Sequence, residues 1–395
     1  MFDPIMPSLG VEMRHISQVS FRPMEGWENI DPNEAFRQHK MEVDTSDLEW
    51  ADVVLFRRYY NTAIKCAQSS DDKPGEGCGF LTQDMTAAAA HPHGTRRQDD
   101  ITRLMWQAIR DHWTGGIVYE TDDNHWEIQP WNGFYPDVIA ERDLIADMTR
   151  RADLVTVATP ALIPYYGRYN DKIRVIRNAV DPELYARGEP RHEHEKQRLV
   201  YYGSTARLRD YAGKYATGNA ADGDGHAYRA VEAHRGLLTR VFLGTDPGTE
   251  EVVGRAFDEQ TPHIEGIAAF SKALVHSDGD IGIAPLGGDT FDRSKSELHW
   301  LEYALADMAF VGQRFAGKNG PYDVVREGVD GFLARGRSEW HDAVGKLARN
   351  PNLSRDIAAA AKERVLRDYD FRVRAIEWAD AFRYARDNAR GARAA

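Results

Sequence analysis

The sequence predicts an α/β protein made of two tandem domains, each a parallel sheet flanked by helices. Three observations carry this. Short apolar runs alternate with segments of helical periodicity along most of the chain, the pattern of βαβ units. A polar, charged segment from Arg187 to Arg198 interrupts the alternation, which then restarts. At 395 residues the chain is too long for one ordinary core. The expected layout is a domain over residues 1–186, a linker over 187–198, a second domain over 199–371, and a terminal helix and tail over 372–395.

Met1 to Met6 makes a poor strand because Pro4 interrupts it, and a helix is expected after Gly10, through Val19. Ala51 to Arg57 is a buried strand. Residues 68–100, rich in Gly, Asp, Ala, Pro and His, look like an insertion. A helix over Ile101–Trp113 leads through Gly115-Gly116 into the strand Ile117–Glu120, which ends in Thr121-Asp122-Asp123-Asn124-His125. A helix over Pro136–Ala152, the strand Leu154–Ala158, a Pro160-started helix and the strand Lys172–Arg177 complete the first half. In the second half, strands are expected at Leu199–Gly203, Thr239–Gly244, Ile281–Leu286, Ala309–Gly312 and Gly328–Leu333. A Gly/Asp-rich loop is expected over 210–226. Helices follow over Ser338–Asn350, Ser354–Tyr369 and Arg372 to about Arg390.

Bulk properties narrow the function classes. A net charge of −12 argues against a broadly basic nucleic-acid surface. Two cysteines, Cys66 and Cys78, are too few for a disulfide framework and point to a reducing compartment, so a cytoplasmic location is expected. No apolar run approaches the roughly 18 residues of a membrane span, and Met1–Gly10 has no signal-peptide pattern. Cys66, Cys78, His91 and His93 fit no standard zinc-finger spacing, and the cysteines read as free thiols.

The stretch 278–311 is the richest in chemistry. Its strand ends in Pro285-Leu286, a Gly/Asp loop follows, and Ser294 stands three residues before Glu297, the spacing of a capping box. A helix is therefore expected from Ser294, with Leu298, Leu301, Leu305 and Met308 on its core face. Lys295, His299 and Glu302 form a second, polar stripe. A strand, a loop and a capped helix that aims a lysine at its own N-terminus make an anion-binding arrangement, and a nucleotide diphosphate is the expected anion.

Several runs resemble GT-B glycosyltransferases, in particular the retaining family 4 (group 1) enzymes of bacterial and phage type. Val175-Ile176-Arg177-Asn178-Ala179-Val180-Asp181 resembles their interdomain "VIPNGVD" element, with Arg177 and Ala179 departing from Pro and Gly. Leu199–Arg209 resembles the first strand and basic loop of the donor domain, Asp280–Val311 the donor-binding core, and Gly328–Leu333 the "G.dGfL" turn. Ile117–Asp123 resembles "VVYE-DD", and Pro7–Arg14 the acceptor-side loop.

The resemblance implies a GT-B fold, an active site in the cleft between the domains, and a C-terminal helix that crosses back to the first. It implies transfer of a sugar from a nucleotide-sugar co-substrate (UDP-, GDP- or dTDP-type), with retention of configuration and no bound cofactor or metal. Lys295 and one of Arg207 and Arg209 would neutralise the leaving diphosphate. Gly203, Ser204, Pro285, Leu286 and Ser296 would shape the donor pocket, Thr205 would add a polar contact, and Glu302 would hold the ribose. Ser294 stands where the family's first paired glutamate would be, so the donor sugar's contacts differ here.

Asp122, at the carboxyl end of a strand, would contact donor sugar or acceptor, with Gly10, Arg14, Asp123 and His125 on the acceptor side. The acceptor could be a glycan, a small molecule or a hydroxymethylated base in phage-type DNA; an epimerase and a silent nucleotide-sugar-binding protein are the other readings. Each residue also has a structural alternative: a surface arginine, a snorkelling lysine, a loop-capping aspartate or a core histidine. The tail arginines (Arg383, Arg386, Arg390, Arg393) read as a solvated helix face.

Overall fold

The computed structural model describes residues 5–12, 21–23, 41–43, 51–57, 106, 113–204, 207–217, 224–317 and 320–394. Arg14, Thr205, the 68–100 insertion with its Cys/His set, the helix expected after Gly10 and most of the one over 101–113 lie outside them.

Two strands absent from the sequence expectation, β1 (Phe21–Pro23) and β2 (Met41–Val43), pair antiparallel. The first large sheet contains β3 (Val53–Arg57), β4 (Gly116–Thr121), β5 (Leu154–Val157) and β6 (Ile173–Val175), all parallel and in that spatial order. The helix expected over 136–152 is two helices, Tyr135–Ala140 and Arg142–Arg151.

The second sheet contains β7 (Gln197–Tyr202), β8 (Leu238–Thr245), β9 (Glu259–Pro262), β10 (Ile281–Ala284), β11 (Ala309–Gln313) and β12 (Phe332–Ala334). Its order is β12-β11-β10-β7-β8-β9, all parallel, which is the doubly wound 3-2-1-4-5-6 order. The chain therefore reverses its winding between β7 and β10, and the crevice outside the carboxyl ends of those two strands is the default ligand position of such a sheet. β9 escaped the sequence reading because Glu-Gln-Thr-Pro is a mostly exposed, Pro-ended edge strand with no apolar alternation.

Two other expectations are corrected. Residues 208–217 are not a loop but two short helices, Leu208–Ala212 and Lys214–Thr217, the first burying Leu208 and Tyr211 in the sheet's core. The strand β7 begins at Gln197, so the connector is shorter than expected. It is also held in place: Arg187 pairs with Asp278 and Arg191 with Asp280, both at the amino end of β10.

The terminal helix Phe371–Ala394 lies across the first sheet. Ala381 and Ala385 pack on Val118, Leu154 and Ile176, and Ala375 and Ala379 pack on Met6. Alanine allows close approach: a Cβ on Gly116 would stand 2.7 Å from the Ala385 backbone. On the outer face Arg383 pairs with Asp380, Arg386 with Asp387 and Arg390 with Asp52. No helix among the described residues is long and apolar enough to cross a membrane.

Candidate functional site in the interdomain crevice

The carboxyl end of β7 turns at Gly203 (φ 148°) beside Gly244 (φ 109°), whose missing Cβ would stand 2.6 Å from the Gly203 carbonyl oxygen. Both positions need glycine, one for conformation and the other for close approach as well. The loop then delivers Arg207, whose guanidinium lies 2.8 Å from Asp210 Oδ2 and 2.8 Å from Asp292 Oδ1. Asp210 follows β7 and Asp292 follows β10, so this cluster straddles the winding reversal. Burial first, and then the adjacent Asp292, raise the Asp210 carboxyl's pKa. Arg207 and Arg209 also lie over the Trp131 ring, 5.3 and 4.4 Å from its centre. Trp131 comes from the loop beyond β4, so it joins the two halves.

The segment after β10 departs from the expected cap. Asp289, not Ser294, caps a one-turn helix α1 (Thr290–Arg293) by accepting from Asp292 N. Ser294 is the C-terminal residue of that turn, and the next helix, α2, spans Leu298–Leu305 with no side-chain cap. Lys295 therefore sits in the connector between two helices and not inside a helix start. The capping-box spacing misled because Asp289 offered a competing cap five residues earlier.

This connector faces the first sheet. Lys295 Nζ is 2.5 Å from Asp123 Oδ1 and lies 4.1 Å from the centre of the Phe291 ring. Asn124 Nδ2 donates to Ser294 Oγ at 2.9 Å, and that hydroxyl donates to Thr290 O at 2.8 Å. Asn178 Nδ2 donates to Ser296 Oγ at 2.6 Å, and Arg177 Nη1 to Glu297 Oε1 at 3.1 Å. Phe291 itself belongs to the first domain's core cluster. Asn124, Trp131, Phe291 and Arg177 were not picked out as site residues; the substitution of Arg177 for the family's proline was the available signal.

The polar stripe divides. Lys295 is about a quarter exposed. Glu302 is 5% exposed, and its two oxygens accept from the Tyr185 and Tyr202 hydroxyls. Both oxygens are thus already engaged by side chains of the same half of the molecule. Burial pushes its carboxyl up to about 7. Between them, His299 stacks on Tyr202 with ring centres 4.5 Å apart. Burial first, and then the Arg207 cation, hold its imidazole well below its ordinary pKa.

On the acceptor side, His125 is buried, and its Nδ1 is 3.0 Å from the Tyr166 hydroxyl, which donates to Asp123 O at 2.8 Å. This places it as a support for the Asp123 loop. Asp122 is half-buried beside it. Gly10 takes φ 71° at the end of the turn Met6–Leu9, and Arg383 of the terminal helix donates to Leu9 O. The Ser204 carbonyl accepts from Arg207 N at 2.9 Å, while Arg209, Pro285 and Leu286 line a separate cavity in the second domain.

No protein-family model and no curated protein sequence matches the chain. Solved structures do match, and they share the GT-B fold: two parallel α/β sheets with interleaved helices. A S. aureus TarM variant in complex with Fondaparinux, alpha-GlcNAc-glycerol and UDP superposes with a TM-score of 0.52 at 14% identity. The match covers 72% of this chain and 54% of that one, so this chain spans about half the length of TarM. Sucrose-phosphate synthase from Thermosynechococcus elongatus gives 0.51 at 12% identity, covering 71% and 70%. HepE from Anabaena, in complex with UDP and glucose, gives 0.50 at 13%, covering 78% and 83%.

Proposed function

We propose that this protein is a glycosyltransferase that moves a sugar from a nucleotide-sugar donor to an acceptor hydroxyl. The observation that carries the reading is the Lys295–Asp123 pair across the crevice of a GT-B fold. A cation from the donor-side sheet meets a carboxylate from the facing sheet, at the end of the strand that follows the winding reversal. In the working complex the donor diphosphate takes the place of the Asp123 carboxylate on Lys295 and draws charge stabilisation from it as the leaving group departs. Arg207 stands next to that position, held rigid by Asp210 and Asp292, so its charge needs no reorganisation during transfer. Freed from Lys295, Asp123 and its neighbour Asp122 face the acceptor. The solved structures with UDP support a uridine donor, although GDP and dTDP sugars share the same diphosphate.

The acceptor classes are a glycan, a small molecule or a modified DNA base, and retention of configuration is the stereochemical outcome proposed. Incubation with a panel of UDP-, GDP- and dTDP-sugars tests the reading. Slow release of free sugar and nucleoside diphosphate supports it, and NMR of the first-formed anomer reports the stereochemistry. Interconversion of the sugar nucleotide would instead identify an epimerase. Binding without turnover would identify a silent module, a reading that Ser294 favours, since it stands buried and fully bonded where a carboxylate would touch the donor sugar.

A further inference from the structure

Each of the four side chains of the connector 294–297, between α1 and α2, bonds to the first half of the molecule. Asn124 donates to Ser294, Asp123 pairs with Lys295, Asn178 donates to Ser296 and Arg177 donates to Glu297. The two ends of this run differ in kind. Lys295 is partly solvated and its partner can be exchanged. Glu297 is fully buried, with Oε1 on Arg177, and its Oε2 has no hydrogen-bond partner among the described residues. Burial raises the pKa of this carboxyl, and the Arg177 cation is the chief influence in the other direction. A buried ion pair stabilises a fold little better than apolar groups of the same shape, and an unmet oxygen detracts further. What such a pair supplies is a fixed geometry.

The position of Arg177 shows what is fixed. Three residues on, Val180 N donates to Tyr369 O and Val180 O accepts from Phe371 N, each at 3.0 Å. The chain crosses between the halves twice, once towards β7 and once into the terminal helix, and these bonds join the two crossings. Helix α2 reaches the same point. Its Trp300 ring meets Tyr369 edge-on, with ring centres 5.7 Å apart, and Trp300 N donates to Glu297 O at 2.9 Å. The start of α2 is thus moored to the crossing, two residues from Lys295.

We infer that Glu297, held by Arg177, is a positioning residue that anchors the connector at the crossing and so fixes Lys295 in the crevice. The anchor matters when Asp123 is exchanged for the donor: the connector then loses one of its four bonds and keeps its course. The consequence for transfer rests on the reading proposed above, whereas the placement of Lys295 does not.

Lysine NMR of the full chain, labelled with ¹³C at the ε-carbon, tests the placement. The Lys295 Nζ lies 4.1 Å from the centre of the Phe291 ring, so its ε-methylene signal should be displaced by the ring's field and should vanish in Lys295→Arg. Arg177 is 27% exposed, so Arg177→Gln should fold, yet its Lys295 signal should move towards that of a solvated lysine. Arg177→Lys, which keeps the charge, should hold the signal near its wild-type position. In turnover, Arg177→Gln should lower kcat about tenfold, the scale of a slight misplacement of a reacting group, with KM held within about twofold. Added to Lys295→Ala it should slow the enzyme no further, because it acts through that lysine. A Lys295 signal unmoved in Arg177→Gln overturns the inference, as does equal displacement in Arg177→Lys or multiplied slowing in the double variant. If the wild type turns over no nucleotide sugar, the transfer reading fails, and the lysine spectra alone decide the anchor.

Discussion

Lys295 and Glu302 occupy one stripe of the sequence, yet the structure gives them opposite environments. Lys295 lies between two sheets, about a quarter exposed, with a carboxylate from the other domain as its partner. Glu302 lies about two helical turns further along, within the second domain, where its oxygens accept from two tyrosine hydroxyls. An ion pair at a boundary can be exchanged for a ligand at little cost, because water and the incoming anion both compensate its opening. A buried carboxyl bonded to two phenols cannot, because opening it strands several polar groups at once. The first end is therefore built for exchange and the second for rigidity.

The largest expected effect separates the two ends by activity. Lys295→Ala should lower the rate of donor turnover by about 100-fold or more, the scale of losing one preorganised charge contact. Thermal unfolding should move by less than about 1 kcal/mol, since the pair is partly solvated. Steady-state kinetics beside a melting curve checks both, and unchanged turnover would sink the site assignment.

The next effect belongs to the buried end and shows in pH. The Glu302 carboxyl has its ordinary 4.5 in the unfolded chain and about 7 when folded, so the folded state holds the proton more tightly. Stability on this account is fully present below pH 4.5 and declines as pH rises towards 7, by up to about 3 kcal/mol. Glu302→Gln should remove that decline, so its unfolding curves should gain on the wild type between pH 5 and 8. Parallel pH profiles for the two proteins would refute the buried-acid description.

Tyr202→Phe, which takes one donor from Glu302, should cost about 1–3 kcal/mol of stability. Denaturant unfolding at pH 8 should show a larger loss than at pH 5, where the carboxyl is protonated. An equal loss at both would mean that Tyr202 matters for packing alone. Smallest is Trp131→Ala: loss of its ring from beneath Arg207 and Arg209 should cost about 0.5–1 kcal/mol. Donor KM should rise only a fewfold, because Asp210 and Asp292 still fix Arg207. A collapse in turnover would shift the weight of that site from the carboxylates to the tryptophan.

Most of the central strands were legible in the sequence, because strands buried on both faces read as continuous apolar runs: Ile281–Ala284 and Leu154–Val157 stand where those runs are. The edges were not. β9 and the short β1 and β2 carry no such run, and the helix Leu208–Ala212 hides in a Gly/Asp-rich stretch because only tertiary contact with the sheet stabilises so short a segment. In the crevice, the residue types at 122–125, 207 and 294–297 were legible as polar groups gathered at strand ends. Their partners were not, since Asn124 and Ser294 are 170 residues apart.

Acting alone, the sequence determined the α/β class, the two-part division and the clustering of polar chemistry after Ile281–Ala284, because these follow from local periodicity and chain length. Only the tertiary structure decided which sheet edge winds back, which end of one polar stripe meets solvent, and which arginines are already neutralised by carboxylates. Those outcomes depend on burial and on partners far away in sequence, and burial sets whether a charge is held, exchanged or left for a ligand.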